Sequence, residues 1–182
     1  MEVRIRLLGA PAVHVGSEWL SLKPGRPGAV IAYLAHRGFP VRRSEVATLL
    51  WTERDETRAS ANLRQAVKAV AGGPFGALLG RDRSHLWLHG ASDLPLFEAA
   101  VREGRWQDAV QLYRGGFLDG FELDDAGEFG SWLESERTVV AGRWRQACTA
   151  LIGEAEKRRR GAITRARFGW LTWWSRPMRS TR

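Results

Sequence analysis

Side chains able to read or grip a nucleic acid recur along one short stretch, ETRASANLRQAVKAV at residues 56 to 70, which carries Arg58, Arg64, Gln65 and Lys68. Arginine can pair with guanine through two parallel hydrogen bonds in the major groove, glutamine can pair with adenine in the same two-point way, and lysine can serve a phosphate. Wound at about 100° per residue, the stretch gathers Ala59, Leu63, Ala66, Val67 and Val70 into a stripe about 100° wide, the width of a face packed on a core. The opposite face carries Arg58, Ala61, Arg64, Gln65 and Lys68 without a single acid. A merely solvated face usually mixes Glu with Lys, so this composition points to DNA contact over a bland surface. Ala61 at its centre lets the helix backbone come close, and its methyl can meet thymine. Asn62 sits at the flank, within reach of a base or a phosphate, and Glu56 suits the positive end of the helix dipole.

The elements that must hold this helix can be read on either side of it. Glu2-Val3-Arg4-Ile5-Arg6-Leu7 alternates strictly, predicting a half-buried strand, and apolar pieces around Val13 to Val15 and Leu20 to Leu22 extend it into a small antiparallel meander. The turn Lys23-Pro24-Gly25-Arg26-Pro27 leads into a helix ending at Arg37, with Gly38 as its stop. Ser44 is expected to cap a second short helix from Glu45 to about Trp51. After the polar link Thr52-Glu53-Arg54-Asp55 comes the helix of the opening stretch, stopped by Gly72-Gly73-Pro74. Leu78-Leu79 and Leu86-Trp87-Leu88 then flank Gly80-Arg81-Asp82-Arg83-Ser84, a hairpin with two arginines at its tip. Strands, three helices and a closing hairpin are the order of parts in a winged helix-turn-helix, whose third helix enters the major groove while the wing touches the backbone. Arg42, Arg43 and Ser44, with Arg81 and Arg83, are therefore read as phosphate contacts, although loop arginines often have no such role.

From residue 91 the pattern is helical. Leu94, Phe97, Ala100 and Val101 mark one helix, Gly104 breaks it, and Trp106, Ala109, Val110 and Tyr113 mark the next, a pair resembling one tetratricopeptide-type hairpin. Phe129, Leu133, Val140, Trp144, Ala147 and Leu151 mark a longer helix that covers part of it. The division expected is 1–90, a winged-helix domain; 91–156, a partial helical domain; and 157–182, a basic tail rich in Trp and Arg, read as disordered. Charge follows the same division. Residues 1–90 hold 13 Lys/Arg against 7 Asp/Glu, residues 91–156 hold 6 against 13, and residues 157–182 hold 9 against none. The first and last segments should be drawn to polyanions, whereas the acidic middle, with its surface around Asp119 to Asp125, should repel DNA and suit protein partners or self-association. The tail's Phe168, Trp170, Trp173 and Trp174 among arginines suit stacking on single strands, an anionic membrane surface, or a disordered end with no function.

Several classes are excluded or disfavoured. The 44% apolar content and nine tryptophans oppose a disordered chain, and no apolar run reaches the roughly 18 to 20 residues of a membrane span, so a cytoplasmic protein without a membrane partner is expected. The single Cys148 can neither form an internal disulfide nor build a thiolate metal site. There is no GxxxxGKS/T phosphate loop and no GxSxG elbow, and the His85/His89 pair has no third ligand at metal spacing. No catalytic residue, metal site or cofactor is expected.

Two groups of motifs together resemble one known family. Val46-Ala47-Thr48-Leu49-Leu50-Trp51 followed by Ala61-Asn62-Leu63-Arg64-Gln65-Ala66 is similar to the second and third helices of SARP-type bacterial transcriptional activators. Leu112-Tyr113-Arg114-Gly115-Gly116-Phe117-Leu118-Asp119-Gly120-Phe121, with Glu128-Phe129-Gly130-Ser131-Trp132-Leu133-Glu134, looks like the signature of their bacterial transcriptional activator domain. The resemblance covers about residues 1 to 156. It implies an OmpR/PhoB-type winged helix joined to a tetratricopeptide-like domain, promoter DNA as ligand, and RNA polymerase as a partner met by Thr52, Glu53, Arg54 and Asp55, a link that is otherwise an ordinary turn. Two departures stand out: the helical pattern stops near Glu156 where relatives continue, and Ala69-Val70-Ala71 is poor in the arginines that relatives carry there. The function expected is thus a sequence-specific transcriptional regulator, an activator by resemblance. The alternative is an adaptor that works through its helical domain and binds DNA weakly or not at all.

Overall fold

The computed structural model describes residues 3–125 and 127–173, of which Val3 and 161–173 are described as backbone alone. The alternation at the N-terminus forms β1 (Val3–Arg6), antiparallel to β2 (Ala12–Val15) with Ile5 opposite Val13, and β2 pairs antiparallel with β3 (Glu18–Ser21). Ile5, Leu7 and Val13 are buried, while the Arg6 guanidinium lies over the Trp19 ring, 3.6 Å from its centroid. Next, α1 (Arg26–Arg37) starts with Pro27 in its first turn and stops where Gly38 adopts φ 69° and donates its N–H to the Leu34 carbonyl. A short strand, β4 (Val41–Arg42), leads directly into α2 (Arg43–Leu50). After the turn of 51–55 comes α3 (Glu56–Gly72), capped by the Asp55 carboxylate, which accepts the Arg58 N–H at 2.9 Å. A single 3₁₀ turn, Gly76–Leu78, precedes the hairpin of β5 (Leu79–Arg81) and β6 (His85–Leu88), and β4 pairs with β6 to complete a three-stranded wing sheet.

The expectation that Ser44 caps the second helix is corrected. Arg42 occupies the cap position and no side chain caps the helix. The chain is already extended at Arg42 by pairing with β6, and the Arg43 N–H is taken by the Ser84 carbonyl at 2.8 Å, so the helix is launched from a sheet edge. Its first turn is held to α1 by a polar knot instead: the Tyr33 hydroxyl donates to Glu45 at 2.7 Å, and Arg37 donates to both.

β7 (Ala91–Ser92) runs parallel to β1, giving the first sheet the order β3-β2-β1-β7, and hands the chain to a helical hairpin, α4 (Leu94–Arg102) and α5 (Trp106–Leu112). Phe97, Ala100 and Ala109 are buried between these helices and α6 (Gly127–Trp173), where Tyr113 stacks on Trp144 with centroids 4.8 Å apart. The segment from Arg114 to Phe121 joins the two parts. Leu8 bridges Phe117, Gly9 donates to the Gly116 carbonyl, and Leu118 and Asp119 donate to the carbonyls of Leu7 and Gly9, so this segment lies along the end of β1 almost as another strand. From α6, Arg137 donates to the carbonyls of Phe117, Leu118 and Phe121. Phe117 and Trp132 then meet His36 of α1 edge to face, and Trp132 also meets Tyr33, so one apolar core runs through both parts.

At the same joint stands Asp93, whose side chain is 1% exposed. Its position before α4 suggests a helix cap, yet its carboxyl accepts the Leu7 N–H at 2.8 Å and the Leu8 N–H at 3.4 Å, with Arg114 3.6 Å away. Burial pushes this carboxyl above the ordinary aspartate value of 3.8, against the pull of the two N–H groups and Arg114.

The reading of 157–182 as a disordered tail is corrected for its first part, because α6 continues unbroken through Trp173. Residues 157–160 are all Lys or Arg, and Glu154–Arg158 and Glu156–Arg160 pair one turn apart, which supports the helix as it enters this segment. Residues 174–182 lie outside the described residues. Among the described residues no helix is long and apolar enough to cross a membrane.

Two glycines should respond oppositely to alanine. At Gly28 an added Cβ would overlap the Lys23 carbonyl oxygen and press within 3.2 Å of the Phe121 ring, whereas at Gly142 in α6 it meets nothing within 4 Å. Gly28→Ala is expected to cost about 1 to 3 kcal/mol, and Gly142→Ala to add roughly 0.5 to 1 kcal/mol, both read from urea unfolding. Asp93 makes a prediction in pH. Its folded pKa is raised, so the folded state holds the extra proton and the stability from this group falls as pH rises from 3.8 through the folded value. The urea midpoint of the native chain should show that descending component, and Asp93→Asn should lack it.

Candidate nucleic-acid interface

The buried side of α3 comprises Ala59, Leu63, Ala66, Val67 and Val70, the five positions that periodicity assigns to it. Packing them on α1 and α2 leaves Arg58, Arg64, Gln65 and Lys68 exposed on the outer side, with Ala61 half-buried among them. Arg58 is held at the helix start by an ion pair to the capping Asp55, 3.3 Å away, and remains largely exposed. Asn62 departs from this row. It is half-buried and lines a polar cleft with Arg26, Trp51, Glu53 and Asp125, where Arg26 donates to the Asp125 carbonyl at 2.9 Å. The structure thus places Asn62 beside the turn after α2 and the start of α6.

The wing gathers the remaining cations. Arg81 and Arg83 are exposed at the hairpin tip, and β4 pairing sets Arg42 opposite His85, so Arg42 stands beside the same tip. Arg43 is half-buried and its guanidinium donates to the Asp82 carbonyl at 3.4 Å, which makes it part of the wing's scaffold; Ser44 is exposed on the first turn of α2. Asp82 shapes the tip. Its carboxylate accepts the N–H groups of Ser84 and His85, both at 2.6 Å, and these two bonds hold it below the usual carboxylate range. Behind the tip, the Trp87 indole covers Gly80 so closely that any side chain at Gly80 would overlap it. The sequence marks Asp82 and Gly80 only as turn residues, and it gives no sign of β4, since two extended residues show no period.

In the turn of 51–55, Thr52 donates its hydroxyl to the Thr48 carbonyl and the exposed Asp55 caps α3, with Glu53 and Arg54 exposed beside it. Arg26 reaches over the Trp51 ring, 5.7 Å to the centroid, which ties this turn to α1. Among the described residues no group of three or more His, Cys, Asp or Glu could hold a metal ion.

The architecture is α+β: a winged helix-turn-helix followed by an all-α, tetratricopeptide-like helical part. The chain is similar to EmbR of Mycobacterium tuberculosis, solved in complex with a low-affinity phosphopeptide, with a TM-score of 0.62 and 23% identity over 94% of this chain. At that identity the likeness is one of fold. This chain spans about half, 51%, of the length of that EmbR chain. No protein-family profile matches the sequence, and no curated protein matches it.

The wing tip makes its own prediction. Because the Asp82 pKa is lowered on folding, its contribution is complete above 3.8 and is lost as pH falls through the lower folded value. The protection factors of the Ser84 and His85 amides, each taken against the intrinsic exchange rate at that pH, should therefore fall as the pH drops through that window, and in Asp82→Ala they should be low at neutral pH as well.

Proposed function

We propose that this chain is a sequence-specific, duplex-DNA-binding transcriptional regulator that acts by positioning itself on a promoter. The observation that carries this reading is the acid-free exposed row Arg58, Arg64, Gln65 and Lys68 on α3, flanked by a wing bearing Arg42, Arg81 and Arg83. In a winged helix, α3 lies in the major groove, where Arg64 and Gln65 can each make a two-point contact with a base edge, while Arg42, Arg81 and Arg83 meet phosphates. The resemblance to SARP-type activators supports activation as the outcome. It also supports the exposed Glu53 and Arg54 as a surface for RNA polymerase, with Thr52 and Asp55 building the turn that presents them. The acidic helical part, which would be repelled by DNA, suits contact with protein or with a second copy.

The adaptor reading is favoured by one feature, the arginine-poor end of α3 at Ala69 to Ala71, which limits the number of phosphate contacts that helix can make. Selection of bound sequences from a random duplex pool separates the two readings. It should use the whole chain, because the first sheet is completed by β7 and the core runs into the helical part. Regulator function requires an enriched motif; an unenriched pool favours the adaptor. On the selected site, log affinity should fall linearly with log salt, by about 0.9 for each phosphate neutralised. Arg64→Ala should cost roughly 1 to 3 kcal/mol and relax preference at one position, whereas Arg42→Ala should weaken all duplexes alike and flatten the salt slope by about one unit. Asn62→Ala should leave base preference unchanged, since its side chain lines the cleft beside Trp51.

A further inference from the structure

An apolar cleft of about 580 Å³ opens between the end of β3, the start of α1 and the last turn of α3. Its floor is Leu22, Ile31 and Val70, all buried, and its walls are the half-buried Leu20, Pro27 and Phe75. The rim is set by two exposed prolines, Pro24 before α1 and Pro74 after α3. A proline ring fixes φ, so three of the bounding residues are conformationally restricted and the cleft is formed before anything enters it. Its volume falls within the roughly 300 to 1,000 Å³ of small-molecule sites, and like them it joins an apolar lining to a charged group at one place. That group is Lys23, the one ionisable residue bordering the cleft. Lys23 is exposed, and among the described residues no carboxylate meets its ammonium.

We propose that this cleft binds a small aromatic monoanion. The ring body lies between Phe75 and the proline rings, over Ile31 and Val70, and the anionic group reaches the rim beside Lys23. Phe75 and the prolines offer flat apolar faces, which suit a rigid ring better than a flexible chain that loses rotor freedom on binding. One ammonium and no acid on the lining set the charge of the ligand. A protein partner fits less well, because the apolar surface ends at Ser21, Lys23 and Gly73, far short of the roughly 800 Å² that each side of a stable protein interface buries. Since Ile31 belongs to α1 and Val70 to α3, the ligand would bridge these helices at the end of α3 away from Asp55. Its binding does not depend on the DNA-binding reading.

The probe is anilinonaphthalenesulfonate, titrated by fluorescence into the full chain beside N-phenylnaphthylamine, which has the same rings without the sulfonate. The sulfonate is expected to bind at one site with a Kd on the order of 10 μM. Lys23→Ala should weaken it roughly two- to fivefold, as an exposed ion pair requires, and leave the neutral amine unchanged. Ala69→Trp, which fills the cleft from an exposed position on α3, should weaken both probes roughly tenfold or more at an unchanged melting temperature. Nuclear Overhauser contacts from the naphthalene protons should fall on the methyls of Ile31 and Val70 in the unmodified chain, a readout that needs no variant to fold. No saturable binding up to millimolar sulfonate, no difference between the two probes in their response to Lys23→Ala, or contacts falling instead on Leu34 and Leu88 of the cleft beside α4 would each overturn the proposal.

Discussion

A buried carboxyl has to find hydrogen-bond donors, and in this protein Asp93 finds them at the far end of the chain, on the amides of Leu7 and Leu8. That requirement fixes where β1 ends, holds β7 alongside it, and sets the direction in which α4 leaves the sheet. Once α4 is placed, the hairpin with α5 and the packing of both on α6 bring Arg137 over the carbonyls of Phe117, Leu118 and Phe121. Those residues complete the edge beside Leu7 to Gly9, and their rings close the core against α1. Because α1 is the platform on which α3 packs, the attitude of the basic face depends on contacts made by the helical part as well as by the winged helix.

This arrangement explains how two regions of opposite charge share one core. The contact between them is made by rings and backbone: His36 and Tyr33 against Phe117 and Trp132, and Gly9 against Gly115, where a Cβ on Gly115 would lie 3.1 Å from the Gly9 Cα. Charged groups enter this contact too, as the buried Asp93 and as Glu136, 3.3 Å from His36. The basic row of α3 faces outward because its other side is filled with Leu63, Val67 and Val70, and the acids of the helical part do not enter that row. Field and fold are thereby separable, and surface charge can be set for a partner with little effect on the interior.

Elements with several turns or strand residues were legible in the sequence, because repetition makes a period visible. The packed side of α3 is the clearest case, and the meander, the stop at Gly38, the wing and the α4–α5 hairpin follow the same logic. What escaped was long-range or very short. β4 and β7 have two residues each and show no alternation; they exist because β6 and β1 offer free edges. Ser44 has the composition of a cap, but extension of the chain at Arg42 removed the need for one. Asp93 has the same composition, and its carboxyl was drawn away by donors that no local window contains. Asn62 lies on the flank of a helical wheel, and the cleft it lines includes Asp125, which arrives much later in the sequence. The basic, Trp-rich composition from Lys157 onward gives no sign of the helix that runs to Trp173, although Glu154–Arg158 and Glu156–Arg160, pairs one turn apart, support its entry into this segment.

The span between Leu7 and Asp93 has a consequence on the ribosome. The donor and acceptor of that bond are 86 residues apart, so at roughly 5 to 20 residues per second β1 waits on the order of 4 to 17 s for its carboxylate, and longer for Phe117. Throughout that interval the nascent winged helix has an open edge at its first strand and an uncovered apolar patch on α1. A newly made molecule therefore settles α1, and α3 packed on it, only after the segment around Phe117 has emerged.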